Sequence, residues 1–349
     1  MSAPARRPLR AVPDEGDAPH RLLADAVTAI GAPDVVLAFS RHGRRTVRHG
    51  GTGTPPPVPR DRLRYETGSA SKVYAGLLLA HLTGTGRLSG GEPAARCLDP
   101  RRAVGPDPVT LTHLITHTAG LPPLPADFYP RALPAWRTNP YARYSAAHVV
   151  AAFARHRPRH RPGTRWRYSN FGVAVLGHAL AAALQAPWDT LLAEEVLRPL
   201  GLNGTALTAT GPDTDALGHR PDGTPVPALD AGGFRAAGAV RATPDDLLTL
   251  LEAHLDPPPG SPLAGALREV RRPVLRRGLG HRHVHTLTWF RHPTDHGPMY
   301  FHSGATLGQQ TFLGFRPGTG TALAAVCTRR HHGRDPFVPT AYALLADAL

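Results

Sequence analysis

Strand-like runs occur near both ends of this chain, and helical periodicity fills the long interval between them. At residues 34–51, DVVLAFSRHGRRTVRHGG reads as a hairpin, two β-rich runs around His42-Gly43. After Arg277 the strands return as HVHTLTWF, MYFHSG, QQTFLGFRP and TALAAVCT, and PTAYALLADAL closes the chain as a helix. In between, AAHVVAAFARH, FGVAVLGHALAAALQ and TPDDLLTLLEAHL carry helical spacing, broken by long Pro-rich loops. Terminal strands that flank a helical insert can pair in one antiparallel sheet, so a mixed α+β fold is expected. Any cleft would lie between that sheet and the insert. The expected organisation is a disordered, Pro-rich tail over residues 1–19, then one domain over 20–349. Its sheet part would comprise about 20–90 and 276–349, and its helical part about 91–275.

Composition narrows the function classes. With 41% hydrophobic and 19% charged residues the chain is globular, and 349 residues suffice for a sizeable core. A net charge of +14 invites a nucleic-acid reading. The arginines are scattered, however, and no nucleic-acid-binding motif accompanies them, so no nucleic-acid partner is expected. Cys97 and Cys327 are too few for a disulfide framework and read as two buried thiols. The first twenty residues contain basic groups but no apolar core of a Sec signal peptide. No apolar run approaches the roughly 18 residues of a membrane span. A cytoplasmic protein with no membrane partner is therefore expected.

One short stretch carries chemistry. YETGSASKVY (65–74) contains Lys72, the single lysine beside 39 arginines. A guanidinium keeps its proton and has no lone pair to offer, whereas an amine can accept one. If Ser69 sits at the first turn of the apolar helix SKVYAGLLLAHLTG, positions i and i+3 share a face and Lys72 can reach its hydroxyl. A serine becomes a good nucleophile once a neighbouring base takes its proton, and a helix N-terminus suits a developing oxyanion. The bland alternative is a capping serine beside a solvated lysine, and the pattern alone does not separate the two.

Two later segments weigh in. PGTRWRYSNFG places Tyr168 and Asn170 two apart just before an apolar helix, so both side chains point one way. A phenol there can serve in proton transfer, and an amide can bond a substrate carbonyl and the lysine. YFHSGATLG supplies His302, Ser303 and Gly304 on a late strand. Alternation sends His302 and Gly304 to one face, where Gly304 would let a substrate backbone approach, and leaves the Ala305 N–H to donate. His281, His283 and His285 alternate as metal ligands would, but no carboxylate or cysteine lies nearby, so no metal is expected. Asp99, Asp245 and Asp246 read as turn and helix-start residues. No serine has the G-x-S-x-G context, which removes an α/β-hydrolase.

Taken together, GSASK, YSN and HSG, in this order and at these separations, resemble the penicillin-recognising serine hydrolases. The branch is that of class C β-lactamases, DD-peptidases, related carboxylesterases and D-aminopeptidases. LTHLITHTAGLP (111–122) and AAGAVRATPDDLLTLLEAHL (236–255) are similar to two further landmarks of that family. The resemblance implies a β-lactamase/transpeptidase-like fold, an antiparallel sheet flanked by helices plus an α-helical subdomain. By position, it implies Ser69 as the acylated nucleophile, Lys72 as its base and Tyr168 as the partner that shares the proton. Asn170, His302, Ser303 and Gly304 would contact substrate, and the backbone N–H groups of Ser69 and Ala305 would form the oxyanion hole. No cofactor is implied.

His302 stands where β-lactamases of this family carry the lysine of Lys-Thr-Gly. A lysine there is a permanent cation for a β-lactam carboxylate, whereas His is mostly neutral near pH 7. The expected activity is therefore hydrolysis of a small-molecule ester or amide, with a carboxylesterase favoured. Alternatives are a transacylase or D-aminopeptidase-like amidase using the same acyl-enzyme, or a catalytically idle ligand-binding protein. The loop 120–144, with Phe128, Tyr129, Trp136, Tyr141 and Tyr144, would form a rim over the cleft. Those aromatics either line an acyl pocket or staple the loop down.

Overall fold

The computed structural model describes residues 18–158, 160–277 and 283–348. Of the tail expected over 1–19, residues 1–17 lie outside the described residues, while Ala18 and Pro19 begin a helix that runs to Ile30. Eight strands make one antiparallel sheet: β1 (Val35–Arg41), β2 (Arg44–Gly50), β3 (Pro273–Arg277), β4 (His283–Thr286), β5 (Phe290–Thr294), β6 (Gly297–Ala305), β7 (Gln310–Arg316) and β8 (Thr321–Cys327). Their order is β2-β1-β8-β7-β6-β5-β4-β3, so the two ends of the chain meet at the β1–β8 pair. The mixed α+β architecture is thus the expected one. The hairpin turns at His42 and Gly43, both at positive φ (50° and 79°), the two-residue turn that matches strand twist.

The central strands are buried on both faces, and their alternation sorts residues between two cores. Val35, Leu37 and Phe39 of β1 join Leu323 and Ala325 of β8 beneath the Ala18–Ile30 and Phe337–Ala343 helices. Val36 and Ala38 join Ala322, Ala324 and Val326 in the larger core with the Pro244–Leu255 helix and the helical insert. Cover on both faces explains why these strands read as unbroken apolar runs. The Ser71–Gly84 helix is buried from Ser71 to Leu82 with no polar face, as befits a helix at the centre of the molecule. Cys97 and Cys327 are both buried and free.

Two strand assignments need correction. HVHTLTWF is two strands rather than one: Thr286 Oγ1 accepts the Trp289 N–H at 2.9 Å and turns the chain between β4 and β5. The outermost strand, β3, begins at Pro273, before the point where strand patterning becomes visible in the sequence. No single helix among the described residues is long and apolar enough to cross a membrane.

Candidate active site

Ser69 lies in a 3-10 turn, Gly68–Ala70, that leads directly into the Ser71–Gly84 helix. It therefore precedes the α-helix rather than opening its first turn, yet the i to i+3 relation survives. The turn is wedged against the end of β6. A Cβ on Gly304 would stand 2.0 Å from Thr67 O and 2.8 Å from the Ser69 and Ala70 nitrogens, and one on Gly68 (φ +50°) would stand 2.6 Å from Ala305 O. Only glycine fits at either place, and the pair brings the Ser69 backbone alongside Ala305. Thr67 N and Oγ1 both donate to Val240 O, and Val240 N donates to Ser71 Oγ, so the turn is pinned from the far side as well.

Lys72 Nζ donates to Ser69 Oγ at 3.1 Å and to Ala237 O at 2.9 Å. Tyr168 Oη donates to the same Ser69 Oγ at 2.7 Å. The lysine is 2% exposed, and its Nζ lies 5.1 Å from the Tyr168 ring centroid. No carboxylate pairs with it among the described residues. A buried amino group is costly to leave without hydrogen-bond partners, and the Ala237 carbonyl supplies one here. The three groups make a continuous path for a proton between Ser69 Oγ, Nζ and Oη. The sequence places Ala237 inside a recognised landmark without revealing this contact, because a backbone carbonyl leaves no side-chain signature.

Tyr168 is set by the LTHLITHTAGLP segment. The His117 carbonyl accepts the Arg167 N–H at 2.8 Å, and His117 Nδ1 accepts the Ser169 N–H at 3.3 Å. Ser169, not Asn170, caps the following helix, Asn170–Ala183, by accepting the Gly172 N–H at 2.9 Å. That leaves Asn170 facing the cavity, with its Oδ1 buried and without a hydrogen-bond partner. The expected lysine–asparagine bond is therefore absent, and Ala237 O takes its place.

A cavity of about 250 Å³ opens beside Ser69. Asn170, Ala305 and Thr306 line it, with Leu124, Phe128, Trp136, Tyr141, Leu229 and Phe234 as apolar walls. Both residues expected to supply oxyanion N–H groups, Ser69 and Ala305, thus border it. Of the rim loop, Phe128, Trp136 and Tyr141 line this cavity. Tyr144 realises the staple reading, since it is buried and donates to Asp127 Oδ1 at 2.7 Å. Tyr129 is half exposed at the outer surface. Among the described lining residues the one charged side chain is Arg330, which the sequence did not single out. A larger cleft of about 730 Å³, behind the Tyr168 segment, does not include Ser69.

His302, Ser303 and Gly304 do not line the cavity. Gly304 accommodates the Ser69 turn rather than a substrate backbone, for the steric reason above. His302 is 3% exposed, and its Nδ1 donates to Ser303 O at 2.8 Å. Burial, reinforced by the charge of Lys72, pushes its pKa down to about 3, so the ring is neutral. Of the alternating histidines, His281 lies outside the described residues. His283 Nδ1 is 3.0 Å from His292 Nε2, and His285 packs on Trp166 and Phe290. No three His, Cys, Asp or Glu side chains among the described residues are placed to hold a metal.

A family model described as Beta-lactamase matches residues 20–348. The chain is 28% identical over 209 residues to a beta-lactamase of Pseudomonas fluorescens, a match covering 58% of this chain and 53% of that protein. It is 27% identical over 238 residues to the D-alanyl-D-alanine-carboxypeptidase/endopeptidase AmpH of Escherichia coli K12, covering 64% and 58% respectively. The chain thus spans little more than half the length of these curated relatives. Among solved structures, a class C beta-lactamase superposes with TM-score 0.79 at 19% identity, covering 95% of this chain and 96% of that one. A beta-lactamase/D-alanine carboxypeptidase from Pseudomonas syringae gives 0.79 at 20% identity, covering 95% and 99%. These superpositions show the β-lactamase/transpeptidase-like fold. The chain belongs to the Beta-lactamase family.

Proposed function

We propose that this member of the Beta-lactamase family is a serine hydrolase that cleaves esters or amides through an acyl-Ser69 intermediate. The observation that carries the reading is Ser69 Oγ within hydrogen-bond reach of both Lys72 Nζ and Tyr168 Oη at the edge of an apolar cavity. In acylation the Ser69 hydrogen passes to Nζ as an amine, Oγ bonds to the substrate carbonyl carbon, and the carbonyl oxygen takes negative charge between the N–H groups of Ser69 and Ala305. The tetrahedral centre then expels the alcohol or amine, which leaves with a proton relayed through Tyr168 and Lys72. Water then attacks the acyl carbon while giving a proton to the same pair, and the second tetrahedral centre breaks its bond to Ser69 Oγ, which takes that proton back as the acid leaves.

Within that class, a carboxylesterase for apolar acyl groups fits best. The cavity walls are aromatic and aliphatic, and His302, at the position where β-lactamases of this family carry a lysine, is neutral and buried off the cavity lining. The second reading, a β-lactamase or D-alanyl carboxypeptidase, draws support from the names of the relatives and from Arg330, a cation able to meet a carboxylate at the cavity edge. Parallel assays of p-nitrophenyl butyrate and nitrocefin, with wild type and Ser69→Ala, decide. Ester turnover that disappears in Ser69→Ala, with little nitrocefin cleavage, is the expected result. Strong nitrocefin turnover would move the assignment to the second reading. Ester or amide product formed from added alcohols or amines would mark a transacylase. Silence on every substrate from folded protein would leave the idle ligand-binding alternative.

A further inference from the structure

We propose that His117 is a positioning residue that clamps Tyr168 against Ser69 by gripping the backbone on both sides of the tyrosine. The inference rests on the reading of Tyr168 as the proton-transfer partner of Ser69. His117 is one of three non-glycine residues at positive φ among the described residues, at 59°. Side chains with a Cβ avoid that region unless the surroundings hold them there, and such held residues gather at functional sites. Here the left-handed turn does something specific: it aims the His117 carbonyl and the His117 ring at one short segment. The carbonyl accepts from Arg167 N, the residue before Tyr168, and Nδ1 accepts from Ser169 N, the residue after it. Between those two bonds the imidazole lies against the phenol, with centroids 4.5 Å apart and planes tilted by 44°.

The Ser169 bond also fixes the ring's chemistry. A nitrogen that accepts carries no hydrogen, so neutral His117 holds its proton on Nε2. Burial pushes its pKa well below the ordinary value, and the neighbouring Lys72, His302 and His285 act in the same direction. The ring thus stays an acceptor beside Lys72. Protonated, it would lose the Ser169 bond and place a cation beside Lys72 and the Tyr168 ring. Tyr168 has no side-chain anchor of its own other than Ser69 Oγ among the hydrogen bonds described, so its aim depends on the backbone that His117 holds.

Two substitutions separate the grip from backbone strain. His117→Gly accepts the left-handed φ but removes both the Nδ1 acceptor and the ring. His117→Asn also tolerates that φ and keeps an acceptor oxygen at nearly the same place. With p-nitrophenyl butyrate, His117→Gly should lose kcat by about 10- to 100-fold, the scale of a misplacement of about 1 Å, with KM nearly unchanged. His117→Asn should recover most of that loss at a similar thermal midpoint. Equal kcat for the glycine variant and wild type overturns the proposal, as does an asparagine variant no better than glycine. Should the glycine variant fail to fold, nitrogen NMR of the wild-type imidazole at pH 7 decides: a bare Nδ1 supports the clamp, and a protonated Nδ1 overturns it. Tyr168→Phe is run alongside. Undiminished activity there would refute the role of Tyr168 itself, whatever His117 does.

Discussion

Gly304→Ala tests how the site is assembled, because the added methyl group would collide with backbone alone. Its Cβ would stand 2.0 Å from Thr67 O and 2.8 Å from the nitrogens of Ser69 and Ala70. None of these is the end of a flexible side chain. An ordinary contact begins near 3.4 Å, so β6 and the Ser69 turn must part by about 1.4 Å. The parting acts directly on the distance between the Ser69 and Ala305 N–H groups, the two donors assigned to the oxyanion. A misplacement of about 1 Å can cost about 10²-fold, so kcat/KM should fall at least that far, equivalent to about 2.7 kcal/mol. Overpacking of this kind costs about 1–3 kcal/mol of stability, too little to unfold a chain this size. Gly314→Ala is the control, since its Cβ would meet Leu345 Cδ2 at 2.5 Å, a side-chain tip on the opposite core. The assay is p-nitrophenyl ester hydrolysis, with pre-steady-state bursts to count acylated sites and thermal melts of both variants. The expected pattern is a smaller loss of stability in Gly314→Ala, whose nearest neighbour is a movable side-chain tip, and loss of acylation rate only in Gly304→Ala. A folded Gly304→Ala enzyme with wild-type acylation would refute the idea that this contact sets the site.

Lys72→Arg should abolish turnover, by about 10²- to 10⁴-fold or more, while circular dichroism reports an intact fold; substantial retained activity would remove Lys72 as the base. Acid should destabilise the protein well before its carboxylates titrate. Burial holds His254 at a pKa of about 4 and His302 at about 3, whereas an unfolded histidine titrates near 6.5. Below about 6.5 the unfolded chain therefore binds protons that the folded chain refuses, so stability is full above that pH and falls as the pH drops toward the folded values. Each ring contributes a loss of about 2 kcal/mol between pH 7.5 and pH 5. Urea unfolding at the two pH values should show it, and His254→Leu should reduce the difference by about that amount. An unchanged pH difference in that variant would contradict the assignment.

Legibility in the sequence followed periodicity. The Ser69–Lys72 relation was readable because helical geometry leaves few ways to place i and i+3, and it survived the shift of Ser69 into a 3-10 turn. The His42-Gly43 hairpin and the strands from β6 to β8 were readable from turn chemistry and apolar runs. β3 was hidden because PVLRR begins with proline and carries two arginines, so an edge strand shows no alternation. The β4–β5 turn depends on one threonine hydroxyl that no local pattern announces. In the site, backbone partners escaped notice: Ala237 O for Lys72, and the His117 carbonyl behind Tyr168. The burial of His302 off the cavity lining escaped notice for a related reason. Strand alternation gave its face correctly, but what covers that face is a tertiary fact.

Acylation of Ser69 is the claim on which the rest depends, and intact-protein mass spectrometry measures it directly. Wild-type protein is mixed with excess p-nitrophenyl butyrate, quenched in acid within the burst, weighed and digested. The account predicts one added butyryl group, mapped to the peptide containing Ser69, and none in Ser69→Ala. A butyryl group on another residue, or ester turnover undiminished in Ser69→Ala, would contradict it.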